Sequence, residues 1–138
     1  MTLTDDDYEH LLEFRLGIRR FLHWSEEQAG NAGLTPMQHQ LLLVIRGSGQ
    51  PHGPTVGEIS GALLLRHHSA VELVDRAEHG GLVERRRDAT DKRVVRVVLT
   101  RKGRALLERL AVRHLDELQH LAPALESLLT AVKSATGA

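Results

Sequence analysis

The nine residues from Arg85 to Arg93 hold five of the chain's eighteen lysines and arginines. Fixed positive charge at this density suits binding of a polyanion. Asp88 and Asp91 interrupt the run. Carboxylates at such positions accept from nearby backbone N–H groups and close tight turns. Asp91 is also placed to orient Arg93 through a charge-assisted pair. An arginine held in that way and inserted into a narrow minor groove of DNA reads groove width and negative potential. A second group, Arg66-His67-His68-Ser69, offers a guanidinium, two imidazoles and a hydroxyl in four consecutive residues. These groups donate to phosphates or to base edges, and Glu72 could accept from a cytosine amino group.

Net charge hides this concentration. The chain carries eighteen basic and eighteen acidic residues in 138. Residues 1–61 hold four basic against eight acidic, residues 62–104 eleven against six, and residues 105–138 three against four. A basic middle between acidic flanks is the charge signature of a local polyanion-binding surface.

Other chemistries find little support. The absence of cysteine excludes disulfides and thiol catalysis by this chain. Gly47 to Gly53 lacks the spacing and the lysine of a phosphate-binding loop. No Ser/His/Asp context appears, so no enzyme and no cofactor are expected. Nine histidines raise the question of metal. His67 and His68 diverge by about 100° on a helix, and no histidine pair is spaced by three or four. His114, Glu117 and His120, with His39, form a weak set, so no metal site is assigned. A metal-responsive regulator is kept as a minor alternative. No apolar run approaches the ~18 residues needed to span a bilayer. The first residues lack the basic segment and apolar run of a signal peptide. A cytoplasmic protein is expected, with no membrane partner.

Helices must position the charged groups. Asp5 to Gly30 reads as one long helix, with Asp5, Asp6 and Asp7 complementing its dipole. Its apolar residues spread over more than one face, which asks for burial on more than one side and favours a partner subunit. Gly30 and Gly33 break the run. Thr35 and Pro36 open a second helix. Gly47 to Pro54 is turn-rich. Thr55 and Glu58 form a capping box ahead of a third helix. A fourth spans Arg66 to His79 and stops at Gly80-Gly81. Two short strands follow, Leu82 to Arg86 and Val94 to Leu99, with a possible further strand near residues 53–55. Thr100 caps the next helix. Pro123 is expected to end it and start a short sixth.

Two helices joined by a tight turn and followed at once by a hairpin make a winged helix-turn-helix. Its second helix enters the major groove and its hairpin tip reaches the minor groove. The expected fold is therefore mainly α with a small β-wing. Residues 1–138 are read as one domain: a DNA-binding lobe at about 34–100, with N- and C-terminal helices at about 5–30 and 101–133 forming a dimerisation subdomain. Arg66, His67, His68, Ser69 and Glu72 are the recognition-helix candidates. Arg85, Arg86, Arg87, Asp91, Lys92 and Arg93 are the wing candidates.

Three stretches carry a resemblance. They are Leu73 to Arg85 (Leu-Val-Asp-Arg-Ala-Glu-His-Gly-Gly-Leu-Val-Glu-Arg), Arg86 to Val94, and Leu99-Thr100-Arg101-Lys102-Gly103. Together they resemble the MarR family of bacterial transcription regulators. That family shows a similar helix–Gly–Leu-Val start, an Asp-x-Arg wing and a Leu-Thr-x-x-Gly entry into the next helix. Leu34-Thr35-Pro36-Met37-Gln38 is similar to its second-helix entry. The resemblance implies a homodimer on a pseudo-palindromic duplex DNA operator, usually acting as a repressor. It gives Arg93 the minor-groove role and Asp91 the orienting role. His67 and His68 depart from the small hydroxyl residues common at that position.

The resemblance also implies a small effector. Arg19, Arg20, His23, Trp24 and His39 offer two guanidiniums, a ring face and two imidazoles, which suit an aromatic acid or a phenol. The other reading of Trp24 is a core or dimer-interface position. The alternative to a DNA-binding regulator is a helical interaction module whose basic wing docks an acidic protein.

Overall fold

The computed structural model describes residues 2–136. Five helices and one hairpin follow in the order α1 (Asp5–Asn31), α2 (Pro36–Gly47), α3 (Val56–Leu63), α4 (His67–His79), β1 (Val83–Arg87), β2 (Val95–Leu99) and α5 (Arg101–Thr136). The strands pair antiparallel, with Val83 opposite Leu99, Arg85 opposite Val97 and Arg87 opposite Val95. The fold is a winged helix-turn-helix with long terminal helices.

Local chemistry sets the boundaries. The Thr35 hydroxyl accepts from the Gln38 N–H, and the Gln38 side chain accepts from the Thr35 N–H, both at 3.1 Å. Thr55 and Glu58 repeat this box at α3. At α5 the Thr100 hydroxyl accepts from the Gly103 N–H at 3.0 Å. Each box satisfies donors that the first helical turn leaves without partners.

The chain gathers into two compact units. One is Ala29–Leu110 and the other joins the chain up to Gln28 with the chain from Ala111. The core of the first is aliphatic: Leu41, Leu42, Ile59, Val74, Val83, Val97 and Leu110 are its largest apolar side chains with essentially no exposure. The second is held differently. Phe21 and Trp24 stack with centroids 6.0 Å apart, and the His114 ring meets Trp24 edge-on at 4.8 Å. Ser25 hydrogen-bonds His114 at 2.7 Å, and Arg113 donates to Gln28 at 3.1 Å. Tyr8, Leu11, Leu12, Phe14, Ile18 and Leu22 of α1, and Val112, Leu115, Leu118 and Leu129 of α5, stay exposed.

Several boundaries differ from the sequence expectation. Helix α5 does not stop at Pro123 but runs through it to Thr136. Proline removes one backbone hydrogen bond, to the carbonyl four residues earlier, and clashes with that turn. Gln119, whose carbonyl loses its donor, is exposed and open to water. Ala and Leu on both sides of the proline favour the helix. There are therefore five helices among the described residues, not six. Helix α1 passes through Gly30, and the chain turns at Gly33 instead. Arg66 is the N-cap of α4 with extended backbone and lies outside the helix. The possible strand near residues 53–55 reduces to a single bridge, Thr55 to Arg96, with the Val97 N–H donating to the Pro54 carbonyl at 2.8 Å.

Leu64, between α3 and α4, is the one non-glycine described residue with positive φ, at φ 56° and ψ 40°. Its side chain gains nothing by burial, being 92% exposed. The turn is held by its neighbours: the Ser60 hydroxyl donates to the Leu65 carbonyl at 2.6 Å, and the Leu65 N–H donates to the Ser60 carbonyl at 3.0 Å.

Candidate nucleic-acid interface

The interface candidates build up from α4. Ala70, Val74 and Ala77 bury one stripe of it. That leaves Arg66, His67, His68 and Glu72 exposed and Ser69 half-buried. Unlike α2 and α3, α4 begins without a side-chain cap. Its first-turn N–H groups have no side-chain acceptor, and the helix dipole adds positive potential at that end. An exposed guanidinium and two imidazoles therefore surround a helix start open to an external acceptor, of the kind a phosphate supplies.

The hairpin tip is organised by two carboxylates. One Asp88 oxygen accepts from the Thr90 N–H at 3.1 Å, the Thr90 hydroxyl at 2.7 Å and the Asp91 N–H at 3.0 Å. The other accepts from Arg96 Nε at 2.7 Å. Arg96 also donates to the Gly53 carbonyl at 3.0 Å, tying the tip to the loop after α2. Asp91 then takes Arg93. One oxygen accepts from the Arg93 N–H and Nε, both at 3.1 Å, and the other from Nη2 at 3.2 Å. Arg93 remains 91% exposed while held along one edge of its guanidinium, through Nε and Nη2. The pair expected from sequence is present in this geometry. The Arg93 guanidinium, aided by the Arg93 N–H, holds the Asp91 carboxyl below the usual carboxylate range.

Arg85 and Arg86 are engaged elsewhere. Arg85 donates to Asp75 at 2.6 Å and Glu78 at 2.8 Å, and its own N–H donates to Glu78 at 3.1 Å. It fastens β1 to α4 and is only 27% exposed. Arg86, on the opposite face of the strand, pairs loosely with Glu84 at 3.3 Å and lines a cavity with Arg46 and Arg104. Arg87 and Lys92 are exposed. Sequence reasoning missed Arg96, Asp75 and Glu78 as the groups that set the wing. The signal was available for Arg96: in a hairpin closed by Asp88, a strand residue a few positions beyond the turn returns beside it.

The five effector candidates do not gather. Arg19 and His23 line one groove on α1, with His23 paired to Glu27 at 2.9 Å. Arg20 and Trp24 line another, between α1 and α5 segments. His39 is buried in the other unit. Helical geometry explains the split, since neighbours in sequence diverge by about 100°. Among the described residues no group of three histidines or carboxylates is placed to hold a metal ion. None of the helices is long and apolar enough to cross a membrane, again among the described residues.

Asp88 gives the tip an acid-sensitive contribution. Arg96, then the Thr90 hydroxyl and the Asp91 and Thr90 N–H groups, hold its carboxyl far below the usual 3.8. A carboxylate whose folded pKa is depressed stabilises the fold above its unfolded value, and that stabilisation is lost as pH falls toward the folded one. Asp88→Asn should therefore lower the melting temperature by a constant amount from neutral pH down to about pH 5. The gap to the parent should narrow once pH drops below 3.8. Thermal melts across that range check this; a gap of the same size at every pH would show that Asp88 does not act as an ionised acceptor.

Comparison with known proteins fits this architecture. A family model described as MarR family matches residues 32–94. The uncharacterised HTH-type transcriptional regulator YsmB of Bacillus subtilis is 33% identical over 67 residues. That match covers 49% of this chain and 46% of YsmB, so the chain spans about half of this curated relative. The structure of a MarR family protein from Bacillus stearothermophilus is 25% identical, with a TM-score of 0.76 over 99% of this chain and 100% of that one. A mutant of S. aureus MepR bound to an oligodeoxyribonucleotide has the same fold, at 22% identity and a TM-score of 0.71 over 98% and 99% of the two chains. The matched motif, the hairpin geometry and the full-length structural likeness agree: residues 32–94 match the MarR family model, and the whole chain is similar in fold to a MarR family protein.

Proposed function

We propose that this chain is a cytoplasmic, sequence-specific DNA-binding transcription regulator that acts as a homodimer, usually repressing from a pseudo-palindromic operator. The observation that carries the reading is the pairing of an uncapped, basic start of α4 with an exposed arginine fixed at the wing tip. Arg66, His67, His68, Ser69 and Glu72 are assigned to the major groove, and Arg93, with Lys92 and Arg87, to the minor groove and flanking phosphates. Asp91 positions Arg93. Arg85 positions the wing on α4. The oligonucleotide seen with the MepR mutant supports the same use of the shared fold.

The exposed apolar residues of α1 and α5 support the homodimer, because apolar surface of that extent on a small protein marks an interaction site. Two recognition helices spaced by one turn of DNA raise both affinity and specificity. Release by an aromatic or phenolic effector completes the reading. A groove of about 680 Å³ lined by Arg20, Phe21 and Trp24 is the place assigned to it.

Selection of bound duplexes from a random pool tests the proposal. The enriched site should be an inverted repeat, and affinity at fixed salt should exceed that for random DNA by a factor of ~10³ or more. Arg93→Ala should weaken binding across all sequences and flatten the slope of log affinity against log salt by about one. A pool without enrichment would leave the acidic-partner alternative standing. A single half-site would argue against the homodimer.

A further inference from the structure

In the strand register Arg86 lies directly opposite Arg96. Like charges facing across a hairpin destabilise it. Arg96 is neutralised, being held by Asp88 and the Gly53 carbonyl. Arg86 is not. Its partner Glu84 lies 3.3 Å away with both side chains more than half exposed, which is worth little. Beside Arg86 opens a cavity of about 450 Å³ that Arg46, from the last turn of α2, and Arg104, from the first turn of α5, also line. Neither Arg46 nor Arg104 has an ion pair among the described residues. No acidic side chain lines the cavity. The nearby Glu58 is occupied by Thr55 and by the Gln50 amide, which donates to it at 3.0 Å. The start of α5 adds helix-dipole potential of the same sign.

Three guanidiniums from three elements thus converge with at most one weak counter-charge. The cavity is not polar throughout, since Ile45, Val98 and Leu99 supply apolar wall. Its volume falls in the ~300–1,000 Å³ range of small-molecule sites. We propose that this cavity binds a small organic molecule carrying two or more oxyanion groups, carboxylate or phosphate, on a short apolar frame. Guanidiniums bind such groups through parallel N–H donors, and two or three of them match a di- or trianion. A phosphate of duplex DNA would not use the apolar wall. The site is separate from Arg93 and from the start of α4, so the inference does not depend on the DNA-binding reading.

Calorimetric titration with two probes, citrate and inorganic pyrophosphate, near neutral pH and at constant ionic strength, tests the site and separates the carboxylate from the phosphate source. At least one probe should bind once per chain with Kd below ~1 mM. The Arg46→Gln, Arg104→Gln double variant should weaken it about tenfold or more. The variant should melt like the parent without the probe, because both arginines are exposed. Binding of neither probe to the parent would overturn the proposal. So would equal binding to parent and variant. A variant that loses affinity for duplex DNA with no probe present would assign these arginines to the DNA backbone and also overturn it.

Discussion

Gly103→Ala should lower the melting temperature by roughly 10–20 °C. A Cβ at this position would stand 2.1 Å from the Leu82 carbonyl oxygen and 3.0 Å from its carbon. Both are backbone atoms, so no side-chain rotation relieves the clash. The surrounding chain is tied down as well. The Thr100 N–H donates to the same Leu82 carbonyl at 3.1 Å, the Thr100 hydroxyl donates to the Gly81 carbonyl at 2.6 Å, and Lys102 donates to the Gly80 carbonyl at 3.0 Å. Moving α5 away breaks these bonds, and moving β1 away uncovers Leu82, which is 3% exposed. Overpacking costs about 1–3 kcal/mol and a buried hydrogen bond left unmade a similar amount. The sum is on the order of 3–5 kcal/mol, among the largest effects a single methyl can have. Gly61→Ala is the matched control. Gly61 lies in α3 with nothing within 4 Å of its would-be Cβ, so alanine should be neutral or stabilise by up to about 1 kcal/mol. A Gly103→Ala melt within a few degrees of the parent would show that the junction yields easily. The glycine of the Leu-Thr-x-x-Gly motif thus has a mechanical reason: α5 starts in backbone contact with the residue that begins the wing.

Gly53→Ala should be nearly as damaging, and its effect should reach the wing. Gly53 has φ +87°, and a Cβ there would lie 2.1 Å from the Val97 carbonyl oxygen. A side chain at such a dihedral costs about 1–3 kcal/mol before any clash is counted. The close approach exists because the loop pairs with β2, the Val97 N–H donating to the Pro54 carbonyl and Arg96 donating to the Gly53 carbonyl. Pushing the loop off frees both groups and removes one of the two partners of Arg96. A total of roughly 3 kcal/mol or more is expected, with limited proteolysis opening first within residues 47–54. A parent-like melt and parent-like proteolysis would show that the loop is dispensable to the hairpin.

Much of this architecture was legible in the residues. Thr35, Thr55 and Thr100 announce their helices because capping is local chemistry. Asp91 and Arg93 announce their pair because the two lie within one turn. What the sequence hid depends on register and distance. Arg85 and Arg86 are neighbours of one type, yet pleating sends one to α4 and the other to the far face, and only the pairing of β1 with β2 decides which. Arg46 and Arg104 are far apart in the chain, and no pattern brings them to Arg86. Pro123 reads as a helix end and is not one, because proline disfavours a helix by a finite amount that flanking leucines and alanines can offset. The effector set was avoidable by geometry alone: Arg19 with His23 and Arg20 with Trp24 are each one turn apart, and the two pairs diverge.

The tip of the hairpin divides its labour. Asp88 and Asp91 make its shape, with partners that all lie within residues 88–96. Lys92 and Arg93 face outward. Lys92 can therefore change without loss of the loop's shape, whereas Arg93 serves both, since every Asp91 side-chain bond comes from it. The freedom at Lys92 lets a lineage retune what its wing touches without passing through an unfolded intermediate. By the same logic the turn at Asp88 is a local device whose one outside tie is the Arg96 bond to the Gly53 carbonyl, so a tip moved onto another antiparallel hairpin of matching register needs an acceptor there for that arginine.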